Sequence, residues 1–124
     1  MNQPRILVAY DGAEEARAAL LRAAQAAAST GAQIGVVTVM PDAILPSLDA
    51  AAAEAMRILR DRKLEPHLHA PIGDPATEIL RVADEGAYDT IYVGRRPAGS
   101  LARTLLGSVS AAVGRRFRRT VIVE

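Results

Sequence analysis

Residues 73–94 read GDPATEILRVADEGAYDTIYVG. Within this stretch a helix starts, stops and hands over to a strand. Asp74 is a side-chain cap, and Pro75 takes the first helical position, where a missing N–H costs nothing. The helix is expected to run to about Glu85, with Gly86 as its stop. Thr90–Val93 is a short apolar run of strand character, closed by Gly94.

The same alternation extends in both directions. Arg5–Tyr10 (RILVAY) reads as a buried strand ended by Asp11-Gly12, and Glu14–Ser29 as an alanine-rich helix with acids in its first turn and Gly31 as its stop. Gln33–Met40 (QIGVVTVM) is a second strand and Pro41–Pro46 a turn. Ser47 or Asp49 is the candidate cap of a helix running to about Lys63. Leu64–Ile72 is a third strand. Pro66 and Pro71 cannot donate to a ladder, which places it at a sheet edge. Leu105–Arg116 is a last helix and Thr120–Val123 a last strand. Short apolar strands alternating with helices imply an α/β fold: one domain over residues 1–124, a mostly parallel sheet, helices on both faces and right-handed crossovers. In such sheets ligands bind beyond the carboxyl ends of the strands. Two of those ends carry residues suited to a ligand, Asp11-Gly12 and the loop at Gly94.

Composition removes several classes of function. There is no cysteine, which excludes disulfides, thiolate metal sites and thiol catalysis. Aromatic residues make up 3% of the chain and tryptophan is absent, which argues against base-stacking nucleic-acid binding. The net charge is +1, so no polyanionic partner follows from overall charge. Arg95, Arg96, Arg103, Arg115, Arg116, Arg118 and Arg119 nevertheless crowd the last third, as a solvated face or as a local anion site. No apolar run approaches the roughly 20 residues of a membrane span, and the chain enters its first strand without a signal-peptide pattern. The expectation is a cytoplasmic protein with neither a membrane nor a nucleic-acid partner.

Named motifs narrow the chemistry further. The P-loop G-x-x-x-x-G-K-[ST], the dinucleotide fingerprint G-x-G-x-x-G and the nucleophile elbow G-x-S-x-G are all missing. His67 and His69 share one strand face, with Glu65 beside them, but no third ligand is evident. They read as half-exposed edge-strand residues, not as a metal site. No catalytic residue is assigned.

One stretch remains, VGRRPAGSLARTLLGSVS at residues 93–110. Gly107-Ser108-Val109-Ser110 at a helix start is a natural anion site, because first-turn N–H groups and hydroxyls point at a ligand. Gly-Ser is also a common simple cap. Gly107 follows Gly94 by thirteen residues, and this spacing resembles the nucleotide motif of the universal stress protein family, G-x2-G-x9-G-[ST]. Residues 6–20 (ILVAYDGAEEARAAL) resemble that family's first strand and helix, and 73–94 its third helix and fourth strand. LLGSVSAAV at 105–113 and TVIVE at 120–124 resemble its last helix and strand, so almost the whole chain is covered.

The resemblance implies a five-stranded parallel sheet of order 3-2-1-4-5, a Rossmann-like α/β fold, and a homodimer formed through Val121, Ile122 and Val123 of the last strand. It implies ATP or another adenine nucleotide as ligand, with Mg²⁺ carried by the phosphates. Ala9, Tyr10 and Asp11 would lie at the site, with Asp11 holding the ribose or a metal-bound phosphate. Val39 would meet the adenine through its backbone. Gly94, Gly107, Ser108 and Ser110 would hold phosphates, Val109 would contribute backbone, and Arg96 would pair with phosphate oxygens. The departure is Pro97, where relatives carry the motif's second glycine: proline offers no N–H and fixes φ near −65°. Ala13 is a smaller one, since relatives often have Ser there.

Two functions stay open on these residues. One is a nucleotide-binding regulatory protein with little or no hydrolysis, acting on a protein partner. The other is a nucleotide-free dimeric interaction module whose phosphate loop Pro97 has weakened. An enzyme acting on an adenylated compound would need a substrate domain for which a chain of 124 residues has no room.

Overall fold

The fold is given by a computed structural model, which describes residues 3–40, 45–95 and 106–124, with side chains left undescribed at 106–108 and 110. Among the described residues five strands and four helices alternate: β1 Arg5–Ala9, α1 Glu14–Thr30, β2 Gln33–Val37, α2 Pro46–Asp61, β3 His67–His69, α3 Pro75–Glu85, β4 Thr90–Val93, α4 Leu106–Arg116 and β5 Thr120–Val123. The strands form one sheet of order β3-β2-β1-β4-β5, and every pairing is parallel. Right-handed crossovers in this order put α1 and α2 on one face and α3 and α4 on the other.

Burial follows this layering. β1, β2 and β4 are covered on both faces and read as continuous apolar runs. Residues in register share a face, so Leu7, Gly35 and Ile91 look toward α3 and α4, and Val8, Val36 and Tyr92 toward α1 and α2. Helix α1 buries Ala16, Ala19, Leu20, Ala23, Ala24 and Ala27, at the spacing of one helical stripe. Five of these six are alanine, which lets the helix axis approach the sheet closely.

The helix ends match the sequence reading in part. Asp74 caps α3, accepting hydrogen bonds from the Thr77 N–H at 3.0 Å and its hydroxyl at 2.8 Å. Gly31 ends α1 in the left-handed conformation, φ 73°, and donates its N–H to the Ala27 carbonyl. Helix α2 differs from expectation. Neither Ser47 nor Asp49 caps it: the N-cap is Leu45, with no side-chain bond, and Pro46 sets the first turn. It stops at Asp61, and Lys63 follows in the left-handed region at φ 65°. Gly86 does end α3, but at φ −86°. Glycine is required there for space, since a Cβ would stand 2.4 Å from Cε2 of Tyr88.

Strands β2 and β3 are shorter than the sequence suggests. Pro66 and Pro71 bracket β3 and leave three residues in the ladder. Beyond Val37 the chain still runs beside its neighbour, with Thr38 N–H bonding to the His69 carbonyl, Met40 N–H to the Pro71 carbonyl and an isolated bridge between Met40 and Ile72. β3 lies at the sheet edge, as its prolines require.

Candidate functional site

The strand order reverses between β1 and β4. The chain leaves β1 toward β2 and leaves β4 toward β5, so a crevice opens between their carboxyl ends. Asp11-Gly12 follows β1 on one side of it and Gly94 follows β4 on the other. These are the two strand ends whose residues suit a ligand.

On the β1 side the chain turns sharply into α1. Gly12 has φ +88°, a left-handed conformation that side chains disfavour. The Asp11 carboxylate accepts the Ala13 N–H at 2.9 Å, a local turn that holds Asp11 against the start of α1. Ala13 is the N-cap of α1 and has no hydroxyl to offer, so no side chain of its own caps the helix. Glu14 and Glu15 occupy the first turn and complement the helix dipole.

On the β4 side Gly94 is buried, and its glycine has a clear cause. A Cβ would lie 2.5 Å from the backbone carbon of Glu15 and 2.6 Å from the Ala16 nitrogen. The missing side chain therefore faces α1, not the crevice. It lets the amino end of α1 close against β4, which brings that end into the crevice wall. Arg95 donates its N–H to the Glu124 carbonyl at 2.7 Å, tying the exit of β4 to the end of β5.

The remaining expected residues divide into four groups. Ala9 is buried in β1, with Val39 half-buried beyond the end of β2. Tyr10 is 2% exposed, and its side chain turns away from the crevice toward α2, where its hydroxyl donates to Glu54 Oε1. Its N–H bonds to the Val37 carbonyl at 3.0 Å, and its carbonyl accepts from the Thr38 hydroxyl at 2.9 Å. Tyr10 thus cannot reach a ligand through its ring. Gly107, Ser108, Val109 and Ser110 lie in the first turns of α4, as the anion-site reading requires. Val109 packs into the core at 4% exposure. The side chains of Ser108 and Ser110 are not described, and Arg96 and Pro97 lie outside the described residues.

Three residues at this edge escaped the sequence reading. Glu54 accepts from Tyr10 and pairs with Arg17 Nη2 at 3.0 Å. Its one sequence signal is a lone acid among Ala50–Ala53 and Ala55, on a helix whose buried stripe includes Ala51 and Ala55. Thr38, fully buried, had no signal at all. Burial raises the Tyr10 phenol above its ordinary value of 10.0, and the Glu54 carboxylate raises it further. Hydrogen bonds from Tyr10 and Arg17 hold Glu54 below its ordinary 4.5, so the carboxylate is charged at neutral pH.

On the edge strand β3 His67 is exposed and His69 half-buried. His69 Nε2 lies 2.9 Å from the Tyr88 hydroxyl, and His67 stacks on His69 with ring centroids 6.3 Å apart. Among the described residues no three histidine, aspartate or glutamate side chains gather to hold a metal ion. Among them, too, no helix is long and apolar enough to cross a membrane.

Residues 3–123 match the model of the universal stress protein family. A universal stress protein of Mycobacterium tuberculosis is 30% identical, over 95% of this chain and 93% of that protein. Among solved structures, a universal stress protein in complex with cAMP superposes with TM-score 0.80 at 24% identity, covering 98% of this chain and 96% of that one. The universal stress protein of Archaeoglobus fulgidus in complex with dAMP superposes with TM-score 0.77 at 23% identity, covering 98% and 97%.

Proposed function

This chain belongs to the universal stress protein family, and from that premise we propose that it is an adenine-nucleotide-binding regulatory protein. The observation that carries the proposal is the crevice at the strand-order reversal, with Asp11 on one lip and the Gly107-Ser108 turn of α4 entering from the other side of the sheet. Support comes from the two relatives of the same fold whose structures hold cAMP and dAMP. Both ligands present an adenine, a pentose and one phosphate.

The residues fit such a ligand. First-turn N–H groups of α4 and the hydroxyls of Ser108 and Ser110 suit phosphate oxygens. Asp11 suits a ribose hydroxyl or a metal-bound phosphate. Val39 and Ile72, the latter 53% exposed, offer an apolar wall for the base at the ends of β2 and β3. With ATP as the ligand, Mg²⁺ would come with the phosphates and Asp11 is the carboxylate proposed to meet it. Arg96, two residues after Gly94 in the sequence, brings a positive charge. The sequence provides no Walker lysine and no general base for water, so hydrolysis is slow or absent.

Pro97 removes one backbone donor from the phosphate loop. A lost hydrogen bond to a charged group is worth roughly 1.5–3 kcal/mol, or about ten- to a hundredfold in affinity. That loss favours a monophosphate over ATP, and it is the one observation in favour of the second reading, a nucleotide-free interaction module. In either case the protein is a homodimer through β5. Its Val121, Ile122 and Val123 are half-buried and carry no proline or charge, whereas the opposite edge is blunted by Pro66 and Pro71.

Calorimetric titration of nucleotide-stripped protein with AMP, and with ATP and Mg²⁺, tests the proposal. Binding that disappears in a Gly107→Ala/Ser108→Ala variant supports it. No heat with either ligand up to millimolar concentration, together with binding gained in Pro97→Gly, supports the second reading instead.

A further inference from the structure

We infer that Tyr10, Glu54 and Arg17 are positioning residues, a polar latch that locks α2 onto the Asp11–Ala13 turn and so sets the shape of the crevice. Its bearing on ligand affinity rests on the nucleotide reading above; its bearing on the turn does not.

Helix α2 meets the turn at two points on one stripe. Ala51 sits over Gly12, where an added Cβ would come within 3.2 Å of the Ala51 Cβ. Glu54, three residues on and therefore on the same helix face, accepts the Tyr10 hydroxyl. Asp11 stands between these two points. The same Glu54 oxygen accepts from Arg17 of α1 at 3.0 Å, so one carboxylate joins the end of β1, α1 and α2. The main chain of Tyr10 is tied to β2 through Val37 and Thr38. The turn therefore has little freedom while α2 stays in place.

Stability alone does not account for the arrangement. The Arg17 and Glu54 side chains are 50% and 28% exposed, and a pair so open to water adds little. A phenylalanine at position 10 facing an apolar residue at 54 would fill the same space without a buried hydroxyl to satisfy. What the polar triangle adds is direction. A hydrogen bond fixes the rotation of α2 about its axis, which alanine packing over Gly12 leaves loose.

The test compares wild type with Tyr10→Phe, Glu54→Ala and Glu54→Gln, each first shown to unfold within a few degrees of wild type. Two quantities are read, hydrogen exchange of the Ala13 amide and calorimetric affinity for AMP. The expected result is at least tenfold faster Ala13 exchange and about fivefold weaker AMP binding in Tyr10→Phe and Glu54→Ala. Glu54→Gln, which keeps an acceptor for Tyr10, restores most of both. Unchanged Ala13 exchange in the first two variants overturns the latch. Faster exchange with unchanged AMP affinity overturns its link to the crevice. Wild type that fails to bind AMP overturns the nucleotide reading, and Ala13 exchange then still decides the latch.

Discussion

The Cβ that Gly94 lacks would stand 2.5 Å from the backbone carbon of Glu15. Backbone cannot yield as a flexible side-chain tip can, so Gly94→Ala must push the first turn of α1 off the end of β4. Overpacking of this kind costs typically 1–3 kcal/mol. The expected outcome is a lower urea midpoint with an unchanged slope, and weaker nucleotide binding, because the displaced turn forms the crevice wall. Wild-type stability in Gly94→Ala would show that α1 does not close against β4 as described.

Tyr88 makes a second glycine obligatory, in the middle of β2. It reaches over Gly35 of β2 to His69 of β3, and a Cβ at position 35 would fall 2.1 Å from its hydroxyl oxygen. Gly35→Ala must displace the ring, which is 1% exposed, and should cost about 1–3 kcal/mol. Tyr88→Phe keeps the ring and loses the hydrogen bonding of its hydroxyl to His69 and Arg5, about 0.5–1.5 kcal/mol for each bond. Thermal unfolding should rank Gly35→Ala as the more damaging. The reverse order would mean that the ring is free to move.

His69, the last residue of β3, gives the stability of the fold a pH dependence. Burial, with repulsion from His67 and from Arg5, lowers its pKa from the ordinary 6.5. The folded state then binds the proton less readily than the unfolded chain, so stability rises with pH between the two values. It should be at its full level above the unfolded pKa and fall as the pH drops through it toward the lower folded value. Denaturant unfolding between about pH 7.5 and about pH 5.5 should show this loss, and His69→Gln should remove most of it. Equal slopes in both proteins would exclude His69 as the source.

The free edge of β5 predicts an oligomer. Ile122→Lys places a charge on that edge without touching the crevice, and edge lysines block strand pairing. Sedimentation equilibrium should show a dimer for wild type and a monomer for the variant. A wild-type monomer at micromolar concentration would remove β5 pairing from the account.

Local signals were legible and distant ones were not. Asp74-Pro75 announces α3 because both features act within one turn, and the prolines at 66 and 71 place β3 at the edge because each removes a ladder donor. The start of α2 was misplaced because Ser47 and Asp49 are better cap residues than Leu45, while Pro46 had already fixed the backbone. Gly86 was legible as the stop of α3, but not the room it leaves for Tyr88. At the site, the strand ends could be found from the alternation of elements. The turning of Tyr10 away from the crevice could not, because its partner Glu54 is 44 residues further along the chain. The reason for Gly94 was hidden in the same way, since it depends on where α1 packs.

On the proposed function, an adenine nucleotide occupies the crevice at the carboxyl ends of β1 and β4. Amide chemical-shift mapping by NMR during an AMP titration tests it most directly. The account predicts saturable shifts at Gly12, Ala13, Val39, Gly94 and the first turn of α4, with His67, Tyr88 and the amino ends of the strands unmoved. Shifts confined to the amino end, or no shifts at millimolar AMP, would contradict it.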